Sequence, residues 1–296
     1  DDKVAVITGA ASGLGREFAT RAAALGMRLV LADVQRDALE QARAELAAQG
    51  ADVIALPCDV RKGEQVQALA DAAIARFGVV HLLFNNAGVG AGGLIWENSE
   101  ADWEWVLGVN LWGVIHGVRI FTPLMLAAAR DDPQYQGHIV NTASMAGLLN
   151  APAMGVYNVS KHAVVSLSET LYHDLQLVDA RVGASVLCPY FVPTGIADSQ
   201  RNRPGDVVAG AATRSQAAAD ALTHKAVASG KVSAQEVAAM TFEAIAEGRF
   251  YIYSHPDALG NVAARCADIV GRNNPRDPYA ATTQVRAMLR AKMGAA

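Results

Sequence analysis

Patterns typical of metal sites and disulfide frameworks are scarce in this sequence. Only three of its 296 residues are cysteines, and Cys58, Cys188 and Cys266 have neither metal-ligand spacing nor the even number of a disulfide framework. The seven histidines are scattered and form no H-E-x-x-H cluster. We therefore expect no catalytic metal, and we expect buried, reduced thiols in a cytoplasmic protein.

The sequence also lacks the features of proteins that bind nucleic acids or membranes. Its 25 basic and 29 acidic residues give a formal net charge of −4, and no block of basic residues stands out. No apolar run approaches the roughly 20 residues of a membrane span. The start at Asp1, Asp2 and Lys3 leads directly into a strand-like run and does not resemble a signal peptide. We expect neither nucleic acid nor a membrane as a partner.

The sequence does contain a regular alternation of apolar runs and helix-forming segments. Its 52% hydrophobic content suffices for one substantial core, and such alternation indicates an α/β domain with a parallel sheet. We predict one domain over residues 1–296, with a substrate lid at the polar, alanine-rich stretch 195–230 and a C-terminal extension at 254–296. Strands are predicted at 4–7, 27–32, 52–56, 79–84, 137–142, 182–187 and 250–253.

A glycine-rich turn follows the first predicted strand. Residues 8–15 read TGAASGLG and lead into a predicted helix at 16–25. Glycines at such a turn let the backbone approach a diphosphate, which rests on the helix N-terminus. The alternative is a tight strand-to-helix turn without a ligand. The flanking strand and helix favour the nucleotide site.

Two acidic residues stand at the ends of the next strands. Asp33 lies about twenty residues past the glycines, where a carboxylate binds the adenosine ribose hydroxyls of a dinucleotide. The same charge would repel the 2′-phosphate of NADP, so Asp33 predicts NAD. Arg36 provides the alternative, since an arginine can accommodate that phosphate, although a solvated charge in the next helix is the simpler interpretation. Asp59 is either an acceptor for the adenine amino group or a loop acid without a ligand.

A tyrosine and a lysine are spaced to share one face of a predicted helix at 157–178. Tyr157 and Lys161 are four residues apart, and an ammonium near a phenol favours phenolate and lowers its pKa. Such a tyrosine can exchange a proton with an alcohol oxygen near neutral pH. Ser144 follows the strand predicted at 137–142 and could hold the substrate oxygen beside it. The alternative is a surface pair and an ordinary loop serine.

Asparagines mark two further positions. Asn85 and Asn86 precede Ala87 and Gly88 at the end of the fourth predicted strand, where small residues suggest close passage past another group. Asn110 lies on the apolar stripe of a helix predicted to run from 99 to 130. A buried asparagine needs a polar partner, which a water or a lysine would supply.

Taken together, these motifs resemble those of the short-chain dehydrogenase/reductase family. The similarity runs from residue 4 to about 253 and rests on five signatures in order. They are TGAASGLG at 8–15, NNAG at 85–88, Asn110 within GVNLWG, Ser144, and YNVSK at 157–161. The resemblance implies a doubly wound Rossmann fold, with a seven-stranded, mostly parallel sheet and helices on both faces. A homodimer or homotetramer is also implied.

The resemblance assigns roles to residues at the matching positions. It implies Tyr157 as the acid/base, Lys161 bound to the nicotinamide ribose, and Ser144 orienting the substrate oxygen. Asn110 would hold a water in a proton relay that reaches Lys161. The residues expected around NAD are Gly9, Ser12, Gly13, Leu14, Gly15, Asp33, Val34, Asp59, Val60, Asn86, Ala87, Gly88, Tyr157, Lys161, Pro189, Val192 and Thr194.

The substrate side departs from the family pattern. Tyr190 replaces the glycine that usually follows the proline at 189, so a bulky ring is expected either to narrow the substrate pocket or to displace the nicotinamide loop. The sequence FYIYSHPDAL at 250–259 is loosely similar to bacterial members that act on aryl-ether benzylic alcohols. We expect a fairly large apolar or aromatic small-molecule substrate. Candidate contacts, for which ordinary core packing is the alternative, are Trp96, Met145, Leu148, Met154, Tyr190 and Phe191.

The sequence therefore predicts an NAD-dependent oxidoreductase that interconverts a secondary alcohol and a ketone. One alternative is an NADP-dependent ketone reductase, which cofactor affinities would distinguish. The other is a regulator that senses a dinucleotide without turnover, and intact Ser144, Tyr157 and Lys161 argue against it.

Overall fold

The computed structural model describes residues 2–178, 181–207, 210–280 and 282–293. The predicted domain, lid and extension also include residues 1, 179–180, 208–209, 281 and 294–296, which lie outside the described residues. Within the described residues, seven strands form one sheet in the order β3-β2-β1-β4-β5-β6-β7. The strands are β1 (Val4–Thr8), β2 (Arg28–Asp33), β3 (Val53–Pro57), β4 (Leu82–Asn85), β5 (Gly137–Thr142), β6 (Val182–Cys188) and β7 (Tyr251–Tyr253).

Each neighbouring pair of these strands is parallel, so the predicted doubly wound α/β fold is confirmed. The order reverses between β1 and β4, and a crevice is expected at the carboxyl ends of strands where this happens. β4 begins at Leu82 rather than at the predicted 79. The preceding helix, which is capped by Gly78 with φ 78°, is followed by residues 79–81, in which the chain turns back to the sheet. The strand therefore starts later than predicted.

Helices cover both faces of the sheet. Alternate residues of β1 point to opposite faces: Val4 and Val6 pack in one apolar cluster, and Ala5 and Ile7 pack in the other. Continuous apolar strands of this kind are therefore buried on both sides. The described helices are α1 (Gly13–Ala24), α2 (Arg36–Ala48), α3 (Gly63–Phe77), α4 (Glu100–Leu107), α5 (Gly113–Asp131), α6 (Gly155–Leu177), α7 (Arg214–Ala228), α8 (Ala234–Ala246), α9 (Leu259–Val270) and α10 (Thr283–Met293).

Local sequence signals begin several of these helices. Ser99 and Asp102 form a capping box at the start of α4, and Ser233 and Glu236 form one at the start of α8. Thr213 caps α7. The nearby Ser215 hydroxyl accepts a hydrogen bond from the Leu94 amide and donates one to Glu97.

The helix predicted at 99–130 is interrupted by a π-helical turn at Gly108–Trp112. The whole segment, Glu100–Asp131, is long and apolar enough to cross a membrane by length and composition alone. In this structure one face of α5 packs into the core. Phe121 and Met125 of α5 are fully buried in the cluster that also contains Leu83 and Ile139 of the sheet.

A chain of buried polar side chains connects the centre of the sheet to α6. The Asn85 amide donates to Asn141 Oδ1 at 2.9 Å, and the Asn141 amide donates to Ser168 Oγ at 3.0 Å. Ser168 donates in turn to the Val164 carbonyl at 2.7 Å. Because buried polar groups without partners are unfavourable, these bonds admit one placement of α6 against β5.

The C-terminal extension packs back onto the domain. Its first part is held by Arg276, which forms two 2.6 Å hydrogen bonds to the Asp268 carboxylate. Arg286 then pairs with Asp277 at 2.8 Å, and α10 lies against α7 with Leu289 buried. The extension therefore supports the outer helix of the predicted lid.

Substituting Asn141 tests the importance of the buried polar chain. Asn141→Ala leaves the Asn85 amide without its acceptor, so the free energy of unfolding should fall by about 1–3 kcal/mol. Gln41→Ala is the control, because Gln41 makes a comparable 2.8 Å hydrogen bond to Glu45 on an exposed helix face and should change stability by less than about 0.5 kcal/mol. Urea unfolding measures the stability of both variants. An equal loss of stability in Asn141→Ala and Gln41→Ala would contradict this role of Asn141.

Candidate active site

A single cleft at the carboxyl ends of the strands contains most of the predicted site. It runs from the loops after β1, β2 and β3 to the start of α6 and the loop after β6. Ser144 lies in it, and Gly15 and Asn110 are buried behind its wall. The predicted cofactor residues that line it are Gly9, Ser12, Gly13, Leu14, Asp33, Val34, Asp59, Val60, Asn86, Ala87, Gly88, Tyr157, Lys161, Pro189, Val192 and Thr194.

The glycine-rich loop is shaped by close backbone contacts. A Cβ on Gly15 would lie 2.0 Å from the Gly9 carbonyl oxygen, so α1 approaches the loop more closely than any side chain permits. Gly9 has φ 67°, which also favours glycine. Among the described residues, the Ser12 hydroxyl makes no capping bond to α1. The first amides of α1 therefore stay open toward the cleft and fit a diphosphate.

Thr8 and Asn86 hold the ends of β1 and β4 together beneath that loop. The Thr8 hydroxyl accepts hydrogen bonds from the amides of Asn86 and Ala87 at 2.9 and 3.1 Å. The Asn86 side chain donates to the Thr8 carbonyl at 3.0 Å. The close passage predicted from NNAG is therefore made against the glycine-rich loop.

Asp33 is oriented by two backbone amides at the cleft wall. Its carboxylate accepts hydrogen bonds from Ala11 and Gln35, both at 3.0 Å. These bonds leave lone pairs on both oxygens for ribose hydroxyls. Arg36 is exposed at the start of α2 and does not line the cleft. The charge that faces this part of the cleft is therefore that of the carboxylate.

Asp59 is already engaged by a neighbouring arginine. Arg61 donates to both carboxylate oxygens of Asp59, with its shortest bond at 2.7 Å, and both side chains are more than four-fifths buried. Asp59 can still accept from an adenine amino group, but its geometry is set by Arg61. Sequence inspection did not single out Arg61.

Tyr157, Lys161 and Ser144 meet at the other end of the cleft. The Lys161 ammonium lies 5.7 Å from the centre of the Tyr157 ring and donates to the Thr142 carbonyl at 2.9 Å. Ser144 Oγ donates to the Pro189 carbonyl at 3.3 Å and accepts from the Ala146 amide. Lys161 is 3% exposed and lines the cleft, and an ammonium has two further donors besides the one bonded to Thr142.

The predicted lowering of the phenol pKa is wrong for the protein alone. Burial raises the pKa of Tyr157, and the neighbouring Ser144 hydroxyl opposes this effect without reversing it. Burial also lowers the pKa of Lys161 to about 8, although the nearby Cys188 thiol acts in the opposite direction. Desolvation thus disfavours the charged form of both groups, so phenolate needs a further positive charge in the site.

The Asn110 side chain has three protein hydrogen bonds. Its amide donates to the Val89 carbonyl at 2.9 Å and to Ser160 Oγ at 3.0 Å, while its Oδ1 accepts from the Val89 amide at 2.8 Å. Both donors of the side chain are used. Asn110 therefore links the loop after β4 to α6, next to Lys161.

Of the six candidate substrate contacts, Tyr190 lines the cleft and the other five do not. Met145 is fully buried in a core cluster with Val114 and Val164, whereas Trp96 is 76% exposed on a loop. Met154 precedes α6 and forms a bridge with Gly93. Phe191 packs on Tyr190 with ring centres 4.3 Å apart. Leu148, half-buried against the Met145 cluster, is not in the cleft either.

Several lining residues were missed by sequence inspection. Most lie on the segment after β6, whose composition indicated a lid but not which side chains face inward. The polar character of that segment was the available signal, and its contacts are long-range in sequence. The missed lining residues include Gln35, Arg61, Val89, Ile196, Ser199, Arg201, Asn202, Pro204 and Val227.

Comparison with known proteins agrees with this geometry. A family model described as short chain dehydrogenase matches residues 3–205. The crystal structure of a short chain dehydrogenase/reductase from Burkholderia phymatum, in complex with NAD, is 60% identical, with a TM-score of 0.91. The match covers 94% of this chain and 98% of that one.

Two curated relatives extend the comparison. The CLA biosynthesis dehydrogenase/reductase of Lactiplantibacillus plantarum is 33% identical over 278 residues, which are 93% of this chain and 95% of the relative. The C alpha-dehydrogenase of Sphingobium sp. (strain NBRC 103272 / SYK-6) is 37% identical over 204 residues, 69% of this chain and 65% of the relative. The family model spans most of the chain, so this protein belongs to the short-chain dehydrogenase family of oxidoreductases.

Proposed function

We propose that this protein is an NAD-dependent oxidoreductase that interconverts a secondary alcohol and a ketone. The observation that carries the proposal is that one cleft contains Asp33 at one end and Ser144, Tyr157 and Lys161 at the other. The Burkholderia relative, solved with NAD, supports the choice of cofactor. Production of NADH from secondary alcohols is the direct test.

The residues of the cleft fit NAD along its length. Asp33 would accept from the adenosine ribose, the open amides of α1 would bind the diphosphate, and Lys161 would donate to the nicotinamide ribose. A Cβ on Gly9 would lie 2.9 Å from the Ala87 backbone, so the floor of this cradle admits no side chain. When bound, NAD supplies the hydride acceptor and, when reduced, the hydride donor.

Tyr157 moves the proton in this proposal. In alcohol oxidation its phenolate removes the hydroxyl proton, and in ketone reduction its hydroxyl donates a proton to the carbonyl oxygen. The oxidative direction requires phenolate, which the positive charge of Lys161 and of an oxidised nicotinamide favours. Ser144 orients the substrate oxygen, and Asn110 maintains the position of Lys161 through Ser160 and Val89.

The substrate end of the cleft is apolar and suits a fairly large aromatic or aliphatic alcohol. Tyr190, Val89 and Ile196 line it. The Tyr190 ring is fixed by Phe191 and by an edge contact with His255 at 5.8 Å, so it forms a rigid wall. The similarity to the Sphingobium C alpha-dehydrogenase supports a dehydrogenase reaction at such an alcohol.

Removal of one hydroxyl tests the role of Tyr157. Tyr157→Phe should reduce alcohol-dependent NADH formation by about 10²–10⁴-fold, the range typical of acid-base groups. NADH binding should be nearly unchanged, because the residues expected to bind the cofactor remain. Steady-state kinetics and fluorescence titration measure the two quantities.

Tyr172→Phe is the matched control, since Tyr172 lies on the same helix, packs against Phe250 and does not line the cleft. It should retain wild-type turnover. If Tyr157→Phe keeps more than about a tenth of wild-type turnover while chemistry limits the rate, the acid-base role is wrong.

Cofactor choice is tested by neutralising Asp33. Two unit charges about 4 Å apart repel by about 4 kcal/mol at an effective dielectric constant of about 20. Water reduces that repulsion, so we expect the wild-type protein to prefer NADH over NADPH by on the order of a hundredfold, or ~2.7 kcal/mol. Asp33→Asn keeps the shape and one acceptor for the backbone amides, and should bring the two dissociation constants close to each other.

Asp37→Asn is the control, because Asp37 is an exposed acid in the first turn of α2, outside the cleft. It should leave the preference unchanged. The dissociation constants of NADH and NADPH are measured at one fixed salt concentration. Equal affinities in the wild-type protein would contradict the assignment and indicate the NADP-dependent alternative.

A further inference from the structure

The segment at 195–206, which we name the strap, crosses the cleft along the path proposed for the cofactor. It leaves the end of the loop after β6 as a 3-10 helix, Gly195–Asn202, and then turns. Its residues that line the cleft are Gly195, Ile196, Ser199, Arg201, Asn202 and Pro204. The strap thus forms an outer wall opposite the glycine-rich loop.

Side-chain contacts join the strap to three different loops of the sheet. Ser199 Oγ accepts a hydrogen bond from the Gly90 amide at 2.8 Å, in the loop after β4. Asn202 accepts from the Gln35 side chain, which follows β2. Asp206 lies 3.6 Å from Arg61, which follows β3. The last two contacts lie on the side of Asp33 and Asp59, so the second half of the strap, from Asn202 onward, covers the adenosine half of the cleft.

One buried ion pair anchors the strap. Arg203 lies 2.7 Å from Asp102 of α4, and the two side chains are only 7% and 10% exposed. The guanidinium also lies over the Trp105 ring, 4.9 Å from its centre, and donates to the Val207 carbonyl at 3.1 Å. An arginine buried in this way loses its counter-charge if Asp102 is removed, which strongly disfavours the buried position.

Asp102 is in turn fixed by several donors. Its carboxylate accepts from the amide and the hydroxyl of Ser99, and from the Gln216 side chain of α7 at 3.2 Å. Burial by itself raises the pKa of Asp102, but Arg203 and Ser99 outweigh burial and hold the pKa below its usual range. Asp102 is therefore charged at neutral pH, and it connects α4, the strap and α7.

We propose that Asp102 and Arg203 are positioning residues that hold the strap over the adenosine half of bound NAD, so that the cofactor leaves only after this ion pair separates. The inference rests on the proposed function, because it assumes that the cleft binds the dinucleotide. The sequence indicated a lid over the substrate at 195–230. In this proposal the first part of that segment covers the cofactor instead. Neither residue lies beside the reacting atoms.

Arg203→Met tests this inference by removing the charge while keeping much of the side-chain volume. The dissociation rate of NADH should rise by about tenfold or more, because truncating one partner of a buried charge pair acts mainly on the off-rate. Arg203→Lys retains the charge and should release NADH at a rate between those of Arg203→Met and the wild type. Stopped-flow displacement of NADH, followed by its fluorescence, measures the rate without any substrate.

Arg43→Met is the matched control, since Arg43 pairs with Glu40 on the exposed face of α2. It should leave the NADH off-rate unchanged. Hydrogen exchange provides a second readout: the peptide that contains 195–206 should exchange faster in Arg203→Met, whereas the peptide that contains β1 should not. Circular dichroism and thermal unfolding establish that each variant is folded.

A folded Arg203→Met variant that releases NADH at the wild-type rate would overturn the proposal. If Arg203→Met does not fold, Arg203→Lys and Asp102→Asn provide the test. A wild-type NADH off-rate in both of these variants would also overturn the proposal. A wild-type protein that fails to bind NADH would instead contradict the proposed function itself. The two failures are therefore distinguishable.

Discussion

The buried hydrogen-bond chain from Asn85 through Asn141 to Ser168 is the constraint on which the site depends. It joins the central strands β4 and β5 to α6, and α6 carries Tyr157 and Lys161. Apolar packing alone tolerates small shifts between a helix and a sheet, whereas a buried amide requires its partner at one distance and angle. The positions of Tyr157 and Lys161 in the cleft thus depend on polar contacts in the core.

The same principle operates at the neighbouring strand ends. Thr8 and Asn86 tie β1 to β4 under the glycine-rich loop, and Asn110 ties the loop after β4 to Ser160 of α6. These bonds fix the inner side of the cleft. Its outer side consists of the strap and of Val227 in α7, against which the C-terminal extension packs.

The two ends of the cleft differ in their electrostatics. At one end the Asp33 carboxylate faces the cleft, and in the proposed function it favours ribose hydroxyls over a 2′-phosphate. At the other end burial disfavours the charged forms of Tyr157 and Lys161. Because burial disfavours phenolate at Tyr157, the positive charge of an oxidised nicotinamide would couple the proposed acid-base chemistry to cofactor binding.

Local patterns in the sequence determined the strand-helix alternation, the glycine-rich turn, two capping boxes and the pairing of Tyr157 with Lys161. These features depend on residues a few positions apart, so spacing and residue type suffice to predict them. The tertiary structure alone decided the direction of the Tyr157 pKa shift, the partners of Asn110 and the exclusion of Met145 and Trp96 from the cleft. It also decided the ion pair between Asp102 and Arg203, which are remote in sequence. Burial and contact between distant segments are properties of the packed chain, and no local pattern encodes them.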